Sequence, residues 1–228
     1  MSYDTILLDA DMTLFDFDRS EHEALCRVLN ARGCPTDKET TDAYVRINWA
    51  LWDDYAKGHV TQEEIGPRRF QALFALLGAE ADPEACNREY QAALAECGYL
   101  LPGAKDFCRR LFQAGKTLAI ATNGMPASQW GRFRRSGLQP YIRRMFVSGE
   151  MGCRKPERAY FEQIFAELPV PDKSRCVMMG DSFPSDIQGG VNAGIDTIWY
   201  NPNRWPGHET LRPTYEVHSY QEALELLL

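Results

Sequence analysis

The feature that most constrains this chain is a short apolar run ending in carboxylates, Ile6-Leu7-Leu8-Asp9-Ala10-Asp11-Met12-Thr13, because versions of it recur. Thr117-Leu118-Ala119-Ile120-Ala121, Arg175-Cys176-Val177-Met178-Met179 and Ile195-Asp196-Thr197-Ile198-Trp199-Tyr200 are equally short, and each follows a segment of helical character. Arg144-Met145-Phe146-Val147 is a weaker version. Continuous apolar runs of this length predict strands buried on both faces. Their alternation with helices predicts an α/β fold, a Rossmann-like parallel sheet with helices on both faces. A short closing strand near 214–217 and a helix over 220–228 complete the expected layer.

The stretch 18–98 breaks the alternation. It has no convincing strand, and its apolar residues fall at helical intervals in four segments. Helix starts are expected at Ser20 with Glu23, at Thr36 or Asp37, at Thr61 with Glu64 and at Asp82-Pro83, with stops at Gly33, Gly58 and Gly78. The expected organisation is therefore a discontinuous core, residues 1–17 and 99–228, interrupted after its first strand by a helical domain over 18–98. A chain of 228 residues is long enough for both.

The chemistry sits at the strand ends. Asp9 and Asp11 are close enough to repel unless a cation or a shared proton holds them together; the alternative is a polar loop after a strand. Thr122-Asn123-Gly124 offers a hydroxyl and backbone donors to an anion, or is a plain strand-to-helix turn. Lys155, in Gly152-Cys153-Arg154-Lys155-Pro156, is placed just before a helix with Pro156 just inside it; it either faces the crevice or is an ordinary surface lysine. Asp181 follows the strand 176–179, and Asp186 falls in the first turn of the next helix, where the dipole alone would favour it. Gly189 and Gly190 read as close helix–sheet packing, since no G-x-G-x-x-G is present. Adjacent strand tips of a parallel sheet converge on one crevice. Several carboxylates with one lysine and one hydroxyl suit Mg²⁺, a phosphoryl group and a nucleophile, and an oxygen-only ligand set favours Mg²⁺ over zinc.

Composition removes other classes. A formal charge of −7 argues against a nucleic-acid polymer and weakens any case for an anionic membrane surface. No apolar stretch has the length of a transmembrane helix, and Met1-Ser2-Tyr3-Asp4 does not open a signal peptide. Seven scattered cysteines without a C-x-x-C pair read as reduced packing residues of a cytoplasmic protein.

With those residues in place, the chain resembles the haloacid dehalogenase superfamily, all four of whose motifs occur in order: D-x-D-x-T at Asp9–Thr13, the hydroxyl of Thr122, Lys155, and G-D-x-x-x-x-D at Gly180–Asp186. The helical stretch resembles the family's cap placed after the first strand. The resemblance implies that Asp9 is the nucleophile and Asp11 the general acid and base. It further implies Mg²⁺ held by Asp9, the backbone carbonyl of Asp11 and Asp181, with Asp186 acting directly, through water, or on the groups that hold the ion. Thr122, Asn123 and Gly124 would bind phosphoryl oxygens, and Lys155 would counter their charge. A carboxylate at Asp11 is absent from the dehalogenase branch, so phosphoryl chemistry is implied over halide chemistry.

A closer resemblance is to the bacterial house-cleaning pyrimidine 5′-nucleotidases. It is carried by Asp9-Ala10-Asp11-x-Thr13-Leu14-Phe15-x-Phe17, Thr122-Asn123-Gly124, Ser185-Asp186-Ile187 through Gly194, and cap residues including Asn48, Trp52, Tyr55, Arg69 and Phe70. This implies a nucleoside monophosphate as the small phosphorylated partner. The alternatives are a phosphatase of small sugar or carboxylic acid phosphates, and a non-catalytic binding protein on the same fold. Tyr44, Trp49, Trp52 and Tyr55 are expected mainly as cap core, with one of them, or Phe15 or Phe17, stacking on a base. Arg132, Arg134, Arg135, Arg143 and Arg144 are expected on a solvated face.

Overall fold

The computed structural model describes residues 3–168 and 172–228; Met1 and Ser2, which open the segment Met1-Ser2-Tyr3-Asp4, lie outside them. The elements run β1 (Thr5–Leu8), α1 (Phe17–Asn30), α2 (Lys38–Lys57), α3 (Gln62–Leu77), α4 (Pro83–Glu96), α5 (Ala104–Gln113), β2 (Thr117–Thr122), α6 (Pro126–Ser136) and β3 (Arg144–Val147). They continue with α7 (Ser148–Met151), α8 (Arg158–Glu167), β4 (Cys176–Gly180), α9 (Gln188–Ala193), β5 (Asp196–Tyr200), β6 (Tyr215–Val217) and α10 (Tyr220–Leu227).

The six strands form one sheet in the order β3-β2-β1-β4-β5-β6, every neighbouring pair parallel. In that order the chain moves outward from β1 through β2 to β3, then returns to place β4 on the other side of β1. Ligand crevices of doubly wound sheets open at that reversal, beyond the carboxyl ends of the strands. Leu8, the last residue of β1, is level with Ile120 of β2 and Met179 of β4, so the residues that follow all three emerge side by side.

The strands are apolar on both faces because both are covered. Ile6, Leu8, Leu118, Ile120, Val177 and Met179 pack with α5 and α10, while Leu7, Ala119, Ala121 and Met178 pack on Tyr160, Phe161 and Ile164 of α8. Gly189 and Gly190 bring the next helix against this second layer as expected; a Cβ there would lie 2.7 Å from the Phe161 ring and 2.3 Å from Thr197 Cγ2, respectively.

All four helices expected over 18–98 form, and α1 to α4 share their own apolar cluster, in which Leu25, Tyr44, Phe70 and Tyr90 are buried. Asp37, Thr61 and Asp82 cap α2, α3 and α4, Thr61 with Glu64 as a full capping box, and Gly58 and Gly78 end α2 and α3 in the left-handed conformation. The first cap differs from expectation. Asp16, whose carboxylate accepts from the Arg19 N–H, starts α1 four residues ahead of Ser20, whose hydroxyl instead bonds back to the Asp16 carbonyl. The insert is not free of the sheet layer: α4 crosses α6 so closely that a Cβ on Gly131 would lie 2.4 Å from the Ala95 Cβ. No helix among the described residues is long and apolar enough to cross a membrane.

Candidate active site

Asp9 leaves the end of β1 and meets Lys155, whose ammonium donates to Asp9 Oδ1 at 2.5 Å, to Asp186 Oδ1 at 2.7 Å and to the Ala121 carbonyl at 2.7 Å. All three donors of the ammonium are satisfied, and Lys155 is only 2% exposed. The crevice reading of Lys155 holds and the surface reading does not. Pro156 is not inside the next helix: it lies in a turn, its peptide bond with Lys155 is cis, and α8 starts two residues later. Asn123 fastens that turn, its side-chain amide donating to the Lys155 carbonyl at 2.8 Å and accepting from the Lys155 N–H at 3.0 Å. The Asn123 side chain is thus committed to Lys155. Thr122 is buried, and its hydroxyl accepts from the Gly124 N–H at 3.0 Å.

Asp181 follows β4. Asp186 lies in a wide π-type turn, Phe183–Ile187, instead of the first turn of a regular helix. It is fully buried, its second oxygen accepting from the Ser182 N–H at 3.0 Å. Gly180 makes this possible, since a Cβ there would lie 2.2 Å from Asp186 Oδ2. Oxygens of Asp9, Asp181 and Asp186 lie within 4.8 Å of one another. Three carboxylates facing one ammonium leave two negative charges without a partner. Burial pushes Asp9 well above the usual carboxylate range, against the attraction of Lys155 and with repulsion from Asp186, Asp181 and Asp11 adding to it. Burial, then the Asp186 charge, lift Asp181 to about 7. Burial alone would pull Lys155 down, but Asp186 and Asp9 override it and hold the ammonium protonated. An all-oxygen cluster with a deficit of positive charge fits a hard divalent cation.

Asp11 stands apart from this cluster. Its oxygens accept from Gln129 Nε2 at 2.7 Å and from Arg132 Nη1, both on α6. The structure corrects the expected solvated face here: Arg132 is buried, while Arg134 and Arg135 on the same helix are exposed. Sequence reasoning missed Gln129 and Arg132 as site residues; their spacing of three from each other, on the helix that follows Thr122, was the available signal, and an acidic background made arginine look like a solvated charge.

Apart from the fully buried Asp186, these groups line one cleft of roughly 240 Å³, bounded on the far side by residues of the helical insert and the α6 turn. Trp49, 70% exposed, and the half-buried Phe17 and Trp52 face it, with Arg69, Leu94 and Met125. Tyr44 and Tyr55 are buried in the insert, and Phe15 is buried in the sheet core, away from the cleft lining.

A model of the haloacid dehalogenase-like hydrolase family matches residues 3–194, and the chain belongs to that family. Among its relatives, the pyrimidine 5′-nucleotidase PynA of Streptococcus pneumoniae is 41% identical, over all of this chain and 96% of its own. The pyrimidine 5′-nucleotidase YjjG of Escherichia coli is 34% identical over all of this chain and 99% of its own. The crystal structure of the HAD-hydrolase YfnB of Bacillus subtilis, bound to magnesium and described as revealing interdomain movement, superposes with a TM-score of 0.95 at 35% identity, covering 100% of this chain and 99% of that one.

Proposed function

We propose that this chain is a Mg²⁺-dependent phosphomonoesterase acting on nucleoside 5′-monophosphates, with a preference for pyrimidines. The observation that carries the chemistry is the cluster of Asp9, Asp181 and Asp186, with Lys155 bound to Asp9 and Asp186, and Asp11 held outside the cluster by separate partners. One carboxylate is thereby free for attack and another for proton transfer. Asp9 Oδ attacks phosphorus as the ester P–O bond breaks, forming an aspartyl-phosphate, and Asp11 gives its proton to the leaving oxygen. Water then attacks the same phosphorus, its proton returns to Asp11, and the Asp9–phosphorus bond breaks to release phosphate. Lys155 balances charge on Asp9 and the phosphoryl group. The Thr122 hydroxyl and the Asn123 and Gly124 N–H groups bind its oxygens, the Gly124 N–H being shared with Thr122 Oγ1, and the Asn123 amide side chain takes no part because it is bound to Lys155.

Asp9, Asp181 and the Asp11 carbonyl, with Asp186 directly or through water, would hold the Mg²⁺. When bound, it offsets the negative charge that keeps a phosphate dianion away from three carboxylates. The separate apolar cluster of α1–α4 supports a cap domain over 18–98 on a core of 1–17 and 99–228. The two nucleotidases at 41% and 34% identity support the substrate class, and Trp49, Trp52 and Phe17 give a flat base aromatic surfaces to meet.

The test is steady-state phosphate release with Mg²⁺ across nucleoside monophosphates, sugar phosphates and short acid phosphates. The expected result is highest kcat/KM for pyrimidine monophosphates, loss of all turnover in Asp9→Asn, and reversible loss on chelation. Higher kcat/KM for sugar or acid phosphates would retain the chemistry and reject the substrate class. Turnover that survives Asp9→Asn would reject the chemistry.

A further inference from the structure

Asp11 is gripped at both ends by α6. Arg132, 1% exposed, donates through Nη1 to Oδ1 and has no other hydrogen-bond acceptor among the described residues; its Nε and Nη2 are buried and unpartnered. Gln129, equally buried and one helical turn earlier, donates through Nε2 to Oδ2 at 2.7 Å, and its own Oε1 is unpartnered. The spacing of three puts both side chains on one face of the helix. The rings of Phe15 and Phe17 lie 4.8 and 5.4 Å from the guanidinium carbon and confine it. Gly124 leaves the space through which the amide reaches Asp11, since a Cβ there would lie 2.0 Å from Gln129 Nε2.

As packing, this arrangement is unfavourable. A buried guanidinium stabilises a fold no better than apolar side chains of the same volume, and three buried polar atoms without partners add their desolvation costs. Its effect is on orientation. A carboxylate bound at both oxygens by two residues of one helix cannot turn about its last torsion or swing into the Asp9, Asp181 and Asp186 cluster, from which its oxygens are absent. Each oxygen keeps a second lone pair, and Asp11, Gln129 and Arg132 all line the cleft.

We propose that Arg132 and Gln129 are positioning residues for Asp11, aiming its carboxylate for proton exchange with the leaving oxygen and then with water. The proposal rests on the phosphomonoesterase reading. It predicts a dependence on the leaving group that a purely structural role does not produce. A nucleoside leaves as an alkoxide and needs the proton from Asp11, whereas p-nitrophenol leaves as a stable phenolate and does not. Since kcat/KM reports only steps through the first irreversible one, it isolates leaving-group departure from the later attack of water.

The experiment measures kcat/KM of wild type, Arg132→Met, Gln129→Met, Asp11→Asn and Asp11→Asn/Arg132→Met on uridine 5′-monophosphate and p-nitrophenyl phosphate, with folding checked by circular dichroism. Expected is a loss of about 100-fold on the nucleotide in Arg132→Met, the lower end for a general acid, and a smaller loss in Gln129→Met. On p-nitrophenyl phosphate each should lose less than about threefold, and the double variant should be no worse than Asp11→Asn, as for residues acting through one group. Equal losses on both substrates, no loss on either, or additive losses in the double variant would overturn the proposal and leave the hydrolase reading standing. If Arg132→Met does not fold, Gln129→Met decides by the same comparison. Should the wild type act on neither ester, the parent reading fails, and the proposal with it.

Discussion

At Lys155 three hydrogen-bond donors meet three acceptors from three different segments: the end of β1, the end of β2 and the turn before α9. Removing the ammonium leaves Asp9 and Asp186 facing each other with no counter-charge. Breaking a buried pair in this way costs about 3–5 kcal/mol. Lys155→Met is therefore expected to lower the unfolding free energy by roughly that amount in urea titrations and to abolish measurable phosphate release. Glu21 poses a different problem. It is buried against Asn48, which donates to it at 2.8 Å, with Arg69 beyond and Asp18 and Asp11 repelling it. Burial lifts it to about 7 from 4.5. The folded state then holds this proton more tightly than the unfolded chain, so the contribution to stability is full below about pH 4.5 and is lost as pH rises through about 7. The Glu21→Gln variant should lack this loss, gaining up to about 3 kcal/mol on the wild type between pH 4.5 and 8 in paired denaturation curves. A constant difference across that range would show that Glu21 titrates normally.

At the scale of elements, two close approaches decide how the helices and turns sit. The α4–α6 crossing depends on Gly131, and the pose of Asp186 depends on Gly180. Gly131→Val must push α4 and α6 apart against backbone atoms of Ala95 at 2.7 Å, and overpacking of this kind costs about 1–3 kcal/mol. Because α6 also carries Gln129 and Arg132, turnover should fall along with the melting temperature. The strands, by contrast, were legible within a residue or so at each end, because β1, β2, β4 and β5 are buried on both faces and so read as unbroken apolar runs. Caps with a side-chain oxygen were legible too, at Asp37, Thr61 and Asp82. What could not be read was the choice among competing partners, local in one case and tertiary in the others. Asp16 outcompeted Ser20 as a cap through a local choice between two good candidates, and the wide turn around Asp186 exists because Gly180 and the Ser182 N–H receive its carboxylate. Arg132 was misread because helical spacing shows which residues share a face but not which face meets Asp11.

For the molecule as a whole, the chain carries seven more acidic than basic charges, and two uncompensated charges sit together in the cluster of Asp9, Asp181 and Asp186 at the sheet's switch point. Those charges repel each other in the folded state and are dispersed when the chain unfolds, so a cation that binds there binds the native form preferentially. Such a ligand stabilises by mass action, about 2.7 kcal/mol at a hundredfold excess over its dissociation constant. For a chain of this size each kcal/mol moves the midpoint by about 2–4 °C, so Mg²⁺ should raise the melting temperature by roughly 5–10 °C over chelator-treated protein. NaCl at matched ionic strength should do far less, since buried charges are poorly screened. Asp181→Asn removes one carboxylate of the cluster and one of the two unbalanced charges while leaving Lys155 its three acceptors. Its chelator-treated form should melt at or above the wild type, and its response to Mg²⁺ should vanish. An equal response of both proteins to Mg²⁺ would place the cation elsewhere on this acidic surface.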